Sequence, residues 1–233
     1  MLKEKKQLDE QLRLLPFFYE LYEEQINDLL KYCSLKDKVK NHHLFMQGDP
    51  MQSLYFLCRG KIKVYKIDGK GRELIVGIYK EGELFPQDYF FEDHTHYLTN
   101  AYVLEDATVL SIPIFYFEQL LEKYPKLYAI LFKMVGEQII DLRSRLEDKI
   151  FFTSEEQVIN LLLRLARNYA VTLSNQKILF LTSFQVKDLA NMIGFSRETV
   201  SRIMNKFIMQ NLIEKDEKGR LILNPMLIKD FYQ

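Results

Sequence analysis

Two cysteines, Cys33 and Cys58, are all that this sequence of 233 residues contains. A pair of thiols builds neither a disulfide framework nor a four-cysteine zinc ribbon. Both therefore read as small buried apolar residues. Net charge is missing too. The 32 Lys and Arg stand against 32 Asp and Glu, which argues against a general binder of polyanions. No apolar run approaches the roughly 18 residues of a membrane span. The opening Met1-Leu2-Lys3-Glu4-Lys5-Lys6 carries positive charge with no apolar stretch behind it, which does not match a secretion signal. Repeats and low-complexity tracts are also absent. What is present, 48% apolar and 27% charged residues, is ordinary for a folded chain and excludes wholesale disorder. The expectation is a cytoplasmic protein with one large domain or two of ordinary size.

The zero balance hides a gradient. Residues 1–150 hold 21 basic and 24 acidic side chains, whereas 151–233 hold 11 and 8. An acidic body joined to a mildly basic module points, weakly, to a polyanionic partner for the second part.

Leu8, Leu12, Leu15, Leu21, Ile26, Leu29 and Leu30 recur near helical spacing over residues 2–32, with Pro16 dividing the stretch. From about Lys38 the period changes to that of strands. Leu54–Cys58, Lys61–Ile67 and Glu73–Tyr79 alternate or run apolar. They are separated by turn signals at Gln47–Pro50, Arg59-Gly60, Asp68–Gly71 and Glu81-Gly82. Val103, Val109 and Ile112 predict closing strands that end at Pro113. Strands at this spacing imply an antiparallel sandwich or barrel. Helix follows from Ile114 to about Lys149, broken by Pro125. In its longer part Tyr128, Phe132, Val135, Ile139, Leu142 and Leu146 follow a 4-3-4-3-4 spacing, that of a coiled-coil seam. Leu127, Ile130, Leu131 and Met134 form a second stripe. The two stripes fit one broad core-facing helix as well as a helix that also packs on a partner.

The informative stretch is 182–224. Thr182-Ser183-Phe184-Gln185 has capping-box spacing and predicts a helix through about Met192. Gly194 supplies a turn, and Ser196 is an N-cap for a second helix from Arg197 to Gln210. Helix, glycine turn and helix form a helix-turn-helix. At about 100° per residue, with Arg197 at zero, Ile203, Phe207, Val200, Met204 and Ile208 share one arc. Ser201, Asn205, Glu198, Arg202 and Lys206 share the other. Such an outward set suits a major groove. Arg forks onto guanine O6 and N7, and Glu accepts from cytosine N4. Ser and Lys suit phosphates, so Ser183, Ser201 and Lys206 join the candidates. Glu198 and Arg202, four apart, are spaced to pair. Leu212–Lys215 and Leu221–Leu223 predict a hairpin wing with Lys218 and Arg220 at its tip. The alternative, an ordinary amphipathic surface helix, leaves the agreement of turn, cap, polar set and wing to coincidence.

Ile193-Gly194-Phe195-Ser196-Arg197-Glu198-Thr199-Val200-Ser201-Arg202 resembles the recognition-helix signature of the Crp/Fnr family of bacterial transcription regulators. Gln47-Gly48-Asp49, Arg59–Val64, Gly71-Arg72-Glu73 and Gly82–Phe85 resemble the glycine-punctuated β-roll of its sensor domain. The resemblance spans about residues 15–225. It implies an α+β chain with three parts. A sensor-like antiparallel β-roll of the cyclic-nucleotide-binding type, with N-terminal helices, takes residues 1–113. A short helix and a long dimerisation helix take 114–150, and a winged helix-turn-helix takes 151–233. It further implies a homodimer that binds palindromic double-stranded DNA, contacts RNA polymerase, most commonly as an activator, and involves no membrane. In the family the residues matching Arg197, Glu198 and Arg202 read the half-site, which here implies TGTGA-N6-TCACA or a near relative. Fnr-type readers share the Glu-Thr-Val-Ser-Arg pattern but generally lack the preceding Arg.

Departures from the family concern the signal. Where cyclic-AMP-binding members carry Gly-Glu and Arg-Ser for the ribose and phosphate, this sequence has Pro86-Gln87 and Tyr97-Leu98. Leu142 and Arg143 replace the hydroxyl residues that meet the purine. No cyclic AMP and no other cofactor is therefore expected, and the effector stays unknown. Two cysteines do not supply the four of an iron–sulfur oxygen sensor. Leu84-Phe85-Pro86-Gln87-Asp88 resembles the branch that regulates anaerobic arginine catabolism through the arginine deiminase pathway. Outside the family, His94 and His96 on one strand face raise the alternative of a cupin-like jelly-roll metalloenzyme, with Glu92 and Asp93 nearby. The acid such a motif needs just after the second His is absent; Glu105 is nine residues on. His42-His43 reads as structural. No catalytic constellation is apparent, so no enzymatic role is expected.

Overall fold

The computed structural model describes residues 2–87 and 95–226. The chain divides into two compact units, Met1–Ile139 and Ile140–Gln233. In the first, α1 (Leu2–Leu14), a short 3-10 turn (Pro16–Phe18) and α2 (Glu23–Leu29) precede six strands. These are β1 (Ser34–Lys38), β2 (His43–Phe45), β3 (Ser53–Ile67), β4 (Glu73–Tyr79), β5 (Leu84–Phe85) and β6 (Asn100–Pro113). All pairings are antiparallel, in the order β1-β6-β3-β4, with β2 on β6 and β5 on β3. The mixed α+β architecture and antiparallel roll are those the sequence implies.

The segments expected as two strands around an Arg59-Gly60 turn are one 15-residue strand. The chain does not reverse there; it bulges. Register shifts fall between Leu57 and Ile62 opposite β6, and Gly60 has φ +94°. The consequence is visible in parity. Tyr55 and Leu57, both odd, lie in the inner core of the roll, and so do Ile62 and Val64, both even. The irregular stretch advances five residues in β3, from Leu57 to Ile62, against six in β6, and this odd step switches which β3 side chains face inward. Leu54 and Phe56 point to the other side with Leu110 and Ile112. There they meet Leu12, Phe17, Phe18 and Phe117, with Phe17 and Phe18 ring centroids 5.2 and 5.0 Å from Phe56. A second core of Phe45, Tyr55, Phe85, Tyr97 and neighbours fills the roll interior.

The expected break at Pro125 separates α3 (Ile114–Lys123) from α4 (Lys126–Phe151). The two apolar stripes of α4 have different fates within the first unit. Leu127 and Leu131 are buried, and Ile130 and Met134 pack on the same core. Phe132 and Ile139 are 72% and 57% exposed, Tyr128 is exposed, and Val135 packs partly on that core.

The second unit carries the exposed Leu142 and Leu146 of α4. It continues with α5 (Ser154–Tyr169), β7 (Ala170–Thr172), β8 (Ile178–Phe180), α6 (Val186–Ile193), α7 (Arg197–Met209), β9 (Ile213–Lys215) and β10 (Leu221–Leu223). Its sheet runs β7-β8-β10-β9, all antiparallel. The hairpin β7–β8 has no counterpart in the sequence reading.

Two of the exposed hairpin tips share one turn. In Asp68-Gly69-Lys70-Gly71-Arg72 the Asp68 carboxylate accepts from the N–H of Lys70 and of Arg72, both at 2.9 Å, and from Arg72 Nε at 2.7 Å. In Asp216-Glu217-Lys218-Gly219-Arg220 the equivalent distances are 3.0, 2.8 and 2.7 Å. An Asx-type turn closed by its own arginine leaves the central lysine pointing outward.

A Cβ at Gly60 would lie 2.5 Å from the Asp106 carbonyl oxygen, on a backbone already at positive φ. Gly60→Ala is expected to destabilise the protein by about 1–3 kcal/mol in urea denaturation. Gly69→Ala, with open space around it, is expected to stay within about 0.5 kcal/mol of the parent.

Candidate nucleic-acid interface

The interface begins with how α7 is started and held. Gly194, left-handed at φ +66°, caps α6 and turns the chain. Ser196 then caps α7, its Oγ accepting from the Thr199 N–H at 3.1 Å. Val200, Ile203, Met204 and Phe207 are buried, which fixes the helix by one face. Each such side chain contributes about 1.5–3 kcal/mol on burial. Arg197, Glu198, Arg202, Asn205 and Lys206 are exposed on the other face, and Ser201 is half-buried. The division of the wheel is the one the sequence predicts.

Polar contacts around the helix differ from residue to residue. Among the described residues no hydrogen bond or ion pair engages the guanidinium of Arg197 or Arg202. Glu198 does not pair with Arg202. Its own backbone N–H, the Ser196 side chain and Arg197 hold its carboxyl below the ordinary value, so at neutral pH it is an acceptor only. The Lys206 ammonium lies 2.7 Å from both carboxylate oxygens of Glu155 in the first turn of α5.

The helix before it departs from expectation. The span Thr182–Gln185 does not form a capping box. The helix starts at Val186 with Gln185 at the cap and no side-chain cap bond. Phe184 packs edge-on against Phe180 and Tyr169, with ring centroids 5.8 and 5.6 Å away, which keeps this stretch extended. Ser183 is exposed just ahead of α6. The capping box of this unit lies elsewhere, at Thr153 and Glu156 before α5. Its spacing, Thr-x-x-Glu, is that of a capping box in the sequence as well.

In the wing Lys218 is exposed, whereas Arg220 is half-buried and tied to Asp216. Although partial burial works the other way, the Arg220 N–H and guanidinium and the Lys218 N–H hold the Asp216 carboxyl below its ordinary value.

The end of α4 is tied into the same unit. Asp148, buried, accepts from Asn160 Nδ2 at 2.7 Å and from the Arg164 guanidinium at 3.1 Å. Asp141 bridges Arg145 at 2.7 Å and Arg164 at 3.6 Å. The Lys149 ammonium sits 4.1 Å from the ring centre of Phe195, in the turn before α7.

Pro86 and Gln87, which the sequence resemblance sets against nucleotide contacts, are buried, with Gln87 Nε2 donating to the Leu84 carbonyl at 3.0 Å. Tyr97 is buried, donates its hydroxyl to the Ser53 carbonyl at 2.9 Å and stacks on Phe45 at 3.9 Å. Leu98 is exposed. Leu142 is exposed, and Arg143 faces Glu147.

The cysteines are free thiols. Burial pushes Cys33 up to about 12 and Cys58 up to about 11. His94, with Glu92 and Asp93, lies outside the described residues, while His96 is exposed and bonded to Thr95. His43 bonds to the Tyr65 hydroxyl at 2.8 Å. Among the described residues no group of three or more His, Cys, Asp or Glu is placed to hold a metal ion, and no helix is long and apolar enough to cross a membrane.

Comparison with known proteins agrees with this geometry. Residues 36–124 match the cyclic nucleotide-binding domain, and 156–231 match the Crp-like helix-turn-helix domain. The chain is 30% identical over 186 residues to the transcriptional activator protein anr of Pseudomonas aeruginosa, covering 79% of this chain and 75% of that protein. It is 27% identical over 214 residues to the anaerobic regulatory protein of Bacillus subtilis, covering 91% and 90%. Among solved structures, the c-di-GMP responsive global regulator CLP of Xanthomonas campestris superposes with a TM-score of 0.73 at 18% identity, covering 86% of this chain and 98% of that one. FixK2 of Bradyrhizobium japonicum gives 0.72 at 18%, covering 85% and 96%. Roll and winged helix-turn-helix together define a DNA-binding transcription regulator with a cyclic-nucleotide-binding-like domain. The chain belongs to the Crp/Fnr family.

Ser196→Ala removes the cap of α7. It is expected to cost about 0.5–2 kcal/mol in chemical denaturation.

Proposed function

We propose that the protein is a homodimer that reads a TGTGA-N6-TCACA palindrome, each α7 entering one major groove. The observation that carries this reading is the pair of guanidiniums, Arg197 and Arg202, that no hydrogen bond or ion pair engages among the described residues, on the exposed face of a helix whose other face is buried. Arg197 and Arg202 fork onto guanine O6 and N7, and ionised Glu198 accepts from cytosine N4. Ser201, Ser183 and Lys218 meet phosphates and set register without reading sequence. The dimer forms along the seam of Tyr128, Phe132, Val135, Ile139, Leu142 and Leu146, of which all but the half-buried Val135 are exposed. Its two-fold axis is mirrored in the operator, with half-sites about one helical turn apart.

The signal, in this reading, is not cyclic AMP. Pro86 has no N–H to offer a phosphate. Gln87 Nε2 and the Tyr97 hydroxyl already donate within the roll. Nor is the signal an iron–sulfur cluster, since two cysteines fall short of four ligands. The regulated genes are those of anaerobic metabolism, including arginine catabolism, and activation proceeds through contact with RNA polymerase. Support comes from the resemblance of residues 84–88 and from relatives named anaerobic regulatory protein and transcriptional activator protein. Mapping bound DNA across the genome with and without oxygen tests site and regulon together. Bound regions lacking the palindrome would refute the site.

Arg197→Ala or Arg202→Ala is expected to lose about 1–3 kcal/mol of discrimination between the palindrome and its scrambled version. Lys218→Ala is expected to weaken both duplexes alike and to flatten the salt dependence, measured by titration across salt concentrations.

Phe132→Glu combined with Ile139→Glu is expected to give monomers in analytical ultracentrifugation and to abolish operator binding. A dimer that survived both changes would place the interface elsewhere.

A further inference from the structure

Lys206 lies at the edge of the outward arc of α7, yet its charge is already answered. Nζ is 2.7 Å from both Oε1 and Oε2 of Glu155. Glu155 and Glu156 share the first turn of α5 but not a task. Glu156 accepts from the Thr153 N–H and hydroxyl, both at 2.7 Å, and closes the cap. Glu155 instead crosses to α7. The Lys206 and Glu155 side chains are 48% and 36% exposed, and an ion pair so exposed adds little to stability. Its effect is on charge. The pair is neutral on a surface where, among the described residues, no hydrogen bond or ion pair holds the guanidinium of Arg197 or Arg202.

We infer that Glu155 withholds Lys206 from the DNA backbone and so sets the sequence-independent part of the affinity. The inference rests on the reading of α7 as the half-site reader. A lysine on a phosphate releases counterions whatever the sequence, and genomic DNA offers a vast excess of non-specific sites. A neutralised lysine adds nothing to that background. Glu155 is thus a positioning residue that acts through Lys206.

The test uses the full chain as E155Q, E155D and E155Q/K206Q. Each is titrated with the palindrome and its scrambled version between about 50 and 200 mM salt. E155Q is expected to bind both duplexes more tightly by the same factor. Its log–log salt slope should steepen by about 0.9 per protomer, about 1.8 for a dimer. E155D, which keeps the pair, and E155Q/K206Q, which removes both charges, are expected to show the parent slope. A parent-like slope for E155Q would overturn the proposal. So would a gain that persists in E155Q/K206Q, since Glu155 would then act by repelling DNA itself. A gain on the palindrome alone would also overturn it. A parent that bound both duplexes equally would refute the half-site reading, while the slopes on either duplex would still decide the role of Glu155.

Discussion

The two-sidedness of α7 is the constraint on which the rest of this protein depends. Val200, Ile203, Met204 and Phe207 fasten the helix by burial, and four such side chains supply several kcal/mol. No polar contact on the exposed face is needed to hold it. Arg197 and Arg202 can therefore remain hydrated and unpaired, and a guanidinium without an internal partner is what base recognition requires. Apart from the Lys206–Glu155 pair, charge is used structurally in the second unit at places away from that face. Asp148, Asn160 and Arg164 tie α4 to α5, and Asp216 binds its own Arg220 in the wing.

The long helix α4 repeats the principle at larger scale. Leu127 and Leu131 are consumed by the core of the first unit, while Phe132, Ile139, Leu142 and Leu146 stay in water. A row of large apolar side chains at heptad spacing, left uncovered, is unfavourable for an isolated chain and favourable for a paired one. The interior of the roll shows the converse. Phe45, Tyr55, Phe85 and Tyr97 pack against one another inside it. The Phe45 and Tyr97 rings stack at 3.9 Å, and the Tyr97 hydroxyl is bonded to the Ser53 carbonyl.

Much of this was legible because it rests on periodicity and on residues with few conformational options. The break at Pro125, the Gly194 turn, the Ser196 cap, the wing and the polarity of α7 follow from rules that act over a few residues. What escaped depended on distant partners. Arg59-Gly60 has the composition of a turn, and only its pairing with β6 makes it a bulge. Thr182–Gln185 has the letters of a capping box, but Phe184 is drawn to Phe180 and Tyr169, and the helix waits until Val186. Ala170–Thr172 and Ile178–Phe180 are too short to carry a pattern of their own. Lys206 reads as a free cation because Glu155 is 51 residues away in sequence.

The bulge in β3 has an evolutionary corollary. The strand is in phase with two different alternations, one on each side of Gly60. Loss of a single residue between Cys58 and Lys61 would restore an even pleat and turn Ile62 and Val64 out to solvent. Gain of one would do the same. Length is thus frozen at the middle of this strand, whereas the tip at 68–72, closed by one aspartate, is free to vary. Drift in the size of the roll should accumulate at such tips and spare its longest strand.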